Sequence, residues 1–180
     1  MDIVIYLISK WAFLAGAAIG FGILFNVPFR TLLMIGIMAI LGGSLKFLNL
    51  RLGGGIVIGS FYGALLIGFL SIPAAHWRHS PPFVFAIPSV IPMVPGTFAY
   101  RMMLGCVRLT NNLSGPDFLK LWTDTVDNGL KTFWILLALA LGVSAPMLLF
   151  RAQSAKNLRL DKSVRHLSEF WKTNNKHDIE

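Results

Sequence analysis

Acidic side chains are scarce in this sequence. Its 180 residues carry 8 Asp and Glu against 16 Lys and Arg, and only 13% of all residues are charged. Soluble domains average about 25% charged. A chain at half that value, 55% hydrophobic and with a mean hydropathy of +0.66, reads as an integral membrane protein. Its length leaves room for about five spanning helices with short loops and none for a large soluble domain.

Cysteine is almost missing too. Cys106 stands alone, which excludes an internal disulfide, and no Cys/His grouping has metal-ligand spacing. His76 and His79 lie around Arg78 in a loop, and His166 and His177 lie near the C-terminus. All four read as loop or interface histidines, so neither metal nor cofactor is expected. No GxSxG, HExxH or phosphate-cradling loop occurs, and Gly53-Gly54-Gly55 lacks the Lys-Ser/Thr of a P-loop. No catalytic residue and no enzyme are expected. The first segment has neither a basic start nor a small-residue cleavage site and is too long for a cleaved signal peptide. Net charge is +8 and the pI about 10.1. In a soluble protein that would suggest nucleic acid. Here the basic residues flank apolar segments, which points to membrane lipid as the counter-charge and excludes a nucleic-acid partner.

What the chain has is apolar segments. They run over residues 3–25, 29–47, 55–77, 83–105 and 117–150, and predict an all-α bundle of about five transmembrane helices. Residues 1–150 form the membrane domain and 151–180 a basic tail. Asn26-Val27-Pro28 breaks the chain, because a residue before proline disfavours helix. Segments one and two therefore form an antiparallel hairpin. Gly16 and Gly20 are spaced as a GxxxG face, and Gly55, Gly59 and Gly63 recur every four residues; both read as helix-packing seams. Ser114 is a candidate N-cap and Pro116 suits the first turn of the last helix. In the tail, Leu160, Val164, Leu167 and Trp171 repeat at helical spacing, as in an amphipathic helix on a membrane surface or a partner. The tail holds seven basic and four acidic residues, so +3, which puts the C-terminus in the cytoplasm. With five crossings the N-terminus lies outside. Arg30 and Arg78 then face the cytoplasm, and Lys46, Arg51, Arg101, Arg108 and Lys120 the outside or its interface.

Segment four is unlike the others. Ala86 to Tyr100 reads AIPSVIPMVPGTFAY, with Pro88, Pro92 and Pro95 and then Gly96. Each proline removes a backbone donor and clashes with the carbonyl four residues back. In hydrocarbon such freed groups persist only where protein or a water-filled cavity satisfies them. A helix broken at mid-depth points to a substrate or ion path, against the alternative of a kinked helix packed on its neighbours.

Two stretches carry a family resemblance. GFGILFNVPFRTL (Gly20 to Leu32) is similar to the FNVPxR turn of the threonine/serine exporter family, and VIPMVPGTFAYRMM (Val90 to Met103) to its IPMxPGxxAY segment. Order, spacing and length resemble the small subunit of the two-component form over residues 20–150. The resemblance implies an exporter of small polar metabolites, threonine and serine or succinate-like dicarboxylates, in a bacterial inner membrane. It also implies a larger membrane subunit as partner. The tail is longer than the family pattern, and nothing is carried over to it.

The substrate path would then involve Ser89, Pro92, Pro95, Gly96, Thr97 and Tyr100. Carbonyls freed before each proline would accept from an ammonium group, and the donors of a restarted helix near Gly96 and Thr97 would meet a carboxylate. The hydroxyls of Ser89 and Thr97 either line the path or bond back to their own helix. Tyr100 is a gate or an interface residue. Asn26, Pro28 and Arg30 form the turn and mouth: Asn26 caps a helix or meets substrate, and Arg30 anchors the cytoplasmic side or attracts an anion. Asp124 and Asp127 share a helical face and would serve proton coupling only inside the bundle; otherwise they are a solvated helix start, with Lys131 four residues on to neutralise Asp127. The alternative to a transport subunit is a non-transporting scaffold for a membrane complex.

Overall fold

The computed structural model describes residues 2–111 and 118–151. The described residues form six α-helices and no strand: α1 (Asp2–Leu24), α2 (Phe29–Arg51), α3 (Ile56–Arg78), α4 (Pro82–Val90), α5 (Gly96–Asn111) and α6 (Phe118–Arg151). A 3-10 turn, Ile91–Met93, stands between α4 and α5. The candidate cap at Ser114 and Pro116 and the amphipathic pattern of the tail lie outside the described residues. The chain divides into two compact units, Met1–Pro146 and Met147–Glu180. The helix seams, the broken span and the cavities all belong to the first unit.

Helices α2, α3 and α6 are each long and apolar enough to cross a bilayer, and α4 with α5 adds a fourth crossing if the bent pair is one span. Helix α1 contributes a shorter apolar stretch, Ile8–Leu24. An expected count of five thus rests on α1. Helices α2 and α5 run past their expected ends at residues 47 and 105, to Arg51 and Asn111.

Three helices end on a residue in the left-handed region. Asn26 (φ 55) follows α1, and the bonds Val27 N to Gly22 O (3.0 Å) and Asn26 N to Ile23 O (2.9 Å) make a Schellman closure. Gly53 (φ 83) closes α2 the same way, through Gly54 N to Asn49 O and Gly53 N to Leu50 O. His79 (φ 51) closes α3. Asn is among the few side chains that visit this region readily, which is why an Asn-Val-Pro sequence turns the chain so tightly. Pro28 then supplies a fixed φ at the entry to α2, and its carbonyl accepts both the backbone N and the Oγ1 of Thr31 (2.9 and 2.7 Å).

Large apolar side chains point outward and small residues inward. Phe29 is 83% exposed, Phe13 79% and Leu33 71%, while Ala18, Ala39, Ser60, Ala64 and Ser71 are fully buried. Lipid is as apolar as leucine, so helix association there rests on close backbone approach across small residues rather than on burying large ones. Between α1 and α2, a Cβ on Gly22 would stand 2.7 Å from Leu32, one on Gly36 3.2 Å from Ile19, and one on Gly43 2.6 Å from Leu14. The expected seam at Gly16 and Gly20 is not the one used here: both face open space, with no atom within 4 Å. These two glycines fall on the α1 face turned away from α2. Of the α3 series, Gly59 and Gly63 do meet α2, through the carbonyls of Lys46 and Gly42, whereas Gly55 precedes the helix and meets nothing within 4 Å. Helix α6 crosses α3 at Gly68 and Gly142, with Pro146 against Gly68. Phe85 of α4 is fully buried in the cluster of Ala18, Leu32, Ile35 and Met38, so α4 sits against α1 and α2.

Asn26→Gly is expected to leave thermal stability in detergent nearly unchanged, whereas Asn26→Val should cost about 1–2 kcal/mol through left-handed strain. Gly63→Val should abolish the folded state's sharp unfolding transition, and Gly16→Ala should leave it in place; unfolding followed by circular dichroism checks both.

Candidate functional site

The break in segment four is real and has a definite geometry. The axes of residues Pro82–Met93 and Gly96–Thr110 differ by 57°. Pro88 lies inside α4, Pro92 in the 3-10 turn, and Pro95 between the turn and α5. The chain repairs part of the loss locally: Val94 N donates to Ile91 O (3.0 Å) and Gly96 N to Val94 O (2.9 Å). The carbonyl of Met93 is repaired from outside. In an unbroken helix it would accept from residue 97; here the Lys46 ammonium reaches over from α2 and donates to it at 3.1 Å.

Lys46 is a candidate site residue that sequence reasoning missed. Its position near the end of an apolar segment suggested a surface cation. Instead its long stem lies half-buried, and its head is turned onto the break. An ionisable group so placed was the available signal. One of its three N–H donors serves Met93, which leaves two for a ligand. One turn further along α2, the side-chain oxygen of Asn49 is buried with no hydrogen-bond partner, close to Gly59. The Met93 side chain meets Gly63, and Gly63 meets the Gly42 carbonyl, so α2, α3 and the break converge at one point. Any Cβ at Gly63 would strike Met93 Cε or that carbonyl, which is why a glycine is needed there.

The other expected site residues fall into two sets. Ser89 is fully buried, and its hydroxyl lies 2.7 Å from Phe85 O and 3.1 Å from Ile35 O. It bonds back to its own helix and ties α4 to α2. Pro95 is buried and Pro92 partly so. Gly96, Thr97 and Tyr100 are exposed at the start of α5, Tyr100 by 63%. Asn26 and Arg30 are exposed on the turn, and the role the geometry gives Asn26 is helix closure. The turn and the broken segment do meet: Val27 and Pro88 line one pocket of about 280 Å³, with Phe83, Val84 and Ile87.

Beyond the break, α5 and α6 enclose a polar cleft of about 420 Å³. The α5 wall presents Arg101 and Arg108, and the α6 wall Asp124, Asp127, Asn128 and Lys131. The helices approach closest at Gly105, where a Cβ would strike Thr125. Lys131 pairs with Asp127, four residues apart and both exposed, and its ammonium lies 5.9 Å from the Phe98 ring centre. Asp124 is exposed. Both carboxylates thus line the cleft and are exposed. Among the described residues no group of His, Cys, Asp or Glu is placed to hold a metal.

Apolar helices with outward-facing large side chains, and one span broken around a cation, define a multi-pass helical membrane protein of transporter type. The chain belongs to the family described as Threonine/Serine exporter, ThrE, whose model matches residues 10–149. An uncharacterized protein of Haemophilus influenzae (strain ATCC 51907 / DSM 11121 / KW20 / Rd) is 33% identical over 147 residues, covering 82% of this chain and 48% of its own length. The chain thus spans about half the length of that curated relative. No solved structure matches.

Lys46→Met removes the side-chain donor to the Met93 carbonyl. It should lower stability by about 1–3 kcal/mol, the cost of an unsatisfied buried acceptor, while Lys46→Arg, which keeps a donor, should lose less. Thermal unfolding of the purified chain in detergent measures both.

Proposed function

We propose that this chain is a transport subunit of an inner-membrane exporter of small polar metabolites and that it works with a larger membrane subunit. The observation that carries the reading is the Lys46 ammonium at the Met93 carbonyl, a cation held at the point where a spanning helix is broken. Family membership supports export of threonine or serine in particular. Succinate-like dicarboxylates remain the second substrate class, because a cation at the break suits a carboxylate of either. The side-chain oxygen of Asn49, a buried acceptor one turn away, favours a substrate that also carries an ammonium group. Transport rather than catalysis follows from the same membership.

The partner is supported by two features. The chain corresponds to about half of its Haemophilus relative, and broad apolar faces remain open on α1, including Gly16 and Gly20. With α1 counted as a fifth crossing, the charge of the tail favours an N-terminus outside and a C-terminus in the cytoplasm. A scaffold role is the competing reading, and the tight glycine seams between α2 and α3 are compatible with it.

Co-reconstitution of the chain with its larger partner in liposomes, under an imposed pH gradient, tests the proposal. Labelled threonine or serine should cross, and Pro92→Ala or Lys46→Met should each reduce flux about ten-fold or more, the scale of one lost interaction of about 1.4 kcal/mol in the transport step. Full flux in both variants would contradict a route at the break. Loss of the complex itself in both variants would favour the scaffold.

A further inference from the structure

A further cavity lies away from the break. It is an elongated groove of about 670 Å³ on the α1–α2 side, with Leu66 of α3 contributing to it. Its walls are Leu41, Leu45 and Leu48, which follow one another along a single face of α2. Leu41 and Leu48 are exposed, so the groove opens sideways, toward the region that lipid occupies in a membrane. Two cations line the groove, Lys10 of α1 and Arg51 at the C-terminal end of α2. The antiparallel hairpin sets Lys10 beside Ser44 and Phe47, about one turn of α2 before Arg51. Lys10 stands 4.3 Å from the centre of the Phe47 ring. Trp11 reaches across to donate its indole N–H to the Ser44 hydroxyl at 2.9 Å, which holds the two helices together at this level.

Dimension and charge both choose the occupant. From Leu41 to Arg51 α2 rises about 15 Å, which is half of the roughly 30 Å hydrocarbon thickness of a bilayer. The groove therefore spans about one leaflet, apolar along its length and cationic toward the C-terminal end of α2. Positive charge dominates the sequence that builds it: residues 3–116 contain no Asp or Glu, yet include Lys10, Arg30, Lys46, Arg51, Arg78, Arg101 and Arg108. We propose that this groove binds one anionic phospholipid. Its phosphate lies between Lys10 and Arg51, and an acyl chain lies along Leu41, Leu45 and Leu48. A protein segment would need an acidic group beside a run of apolar side chains to satisfy the same surface; a phospholipid presents both in one molecule at the required depth.

The test uses the full-length chain, purified in a mild detergent and exposed to phosphatidylglycerol or to phosphatidylcholine, with retained lipid counted by native mass spectrometry. Phosphatidylglycerol should be retained in preference to phosphatidylcholine. Lys10→Gln and Arg51→Gln should each lower that retention about five-fold, the equivalent of one basic residue at an anionic surface. Arg78→Gln, at the far end of α3, should leave it unchanged. Leu48→Trp, which fills the groove without touching the cations, should reduce retention of both lipids. Melting temperatures of all variants, taken in parallel, separate lost binding from lost fold. Glycerol phosphate alone should not stabilise the chain. Equal retention of the two lipids, unchanged retention in a folded Lys10→Gln, Arg51→Gln double variant, or stabilisation by glycerol phosphate as large as by the lipid would each overturn the proposal. So would loss of phosphatidylglycerol on addition of the larger subunit, which would assign the groove to protein. Flux plays no part in these readouts, so the proposal stands or falls apart from the transport reading.

Discussion

A hydrocarbon environment offers the backbone no water, and every feature of this chain answers to that constraint. Intact helices satisfy themselves. A span that carries Pro88, Pro92 and Pro95 does not, and its freed groups must find partners within the protein. Here Val94 and Gly96 close two short turns, and Lys46 supplies the donor that Met93 lacks. A lysine costs a great deal to hold among apolar helices unless something recompenses it. The freed carbonyl of Met93 does so, and the two features depend on each other. The broken helix makes a place for the cation, and the cation makes the break sustainable.

The packing follows from the same solvent. Glycine, alanine and serine fill the seams, since helices in lipid gain from close backbone approach. Gly42 and Gly63 bring α2 and α3 near enough for Met93 to sit over their crossing, which in turn sets the break within reach of Lys46. Ser89 ties α4 to the Ile35 carbonyl of α2 from the other side of the break. The site is therefore held by α2 from two points, 35 and 46, and by α3 at 63. The polar cleft between α5 and α6 is lined by Arg101, Arg108 and Asp124.

Much of this architecture was legible in the sequence because it depends on local backbone chemistry. Asn26-Val27-Pro28 announces a tight turn, and three prolines with a glycine announce a break, since each acts on its own φ, ψ and hydrogen bonds. Helix count and apolarity are similarly local. What was not legible depends on which faces meet. Gly16 and Gly20 carry a seam spacing, yet the α1–α2 contact is made by Gly22, Gly36 and Gly43. Ser89 was open between lining the path and bonding back to its own helix; it does the latter and also reaches the Ile35 carbonyl of α2. His79 in the left-handed region has no strong local signature, unlike Gly53. Lys46 read as a surface cation because its target is 47 residues away along the chain, and no periodicity relates the two.

The proposed route takes solute through the break, past Lys46. Thiol accessibility measures this most directly, with single cysteines in a Cys106→Ser background, in the assembled complex in membranes. Thr97→Cys should react with a membrane-impermeant thiol reagent, and added threonine or serine should slow that reaction; Ser89→Cys, sealed between α4 and α2, should not react. A Thr97→Cys that reacts at the same rate with and without either amino acid, or a Ser89→Cys that reacts readily, would contradict the account.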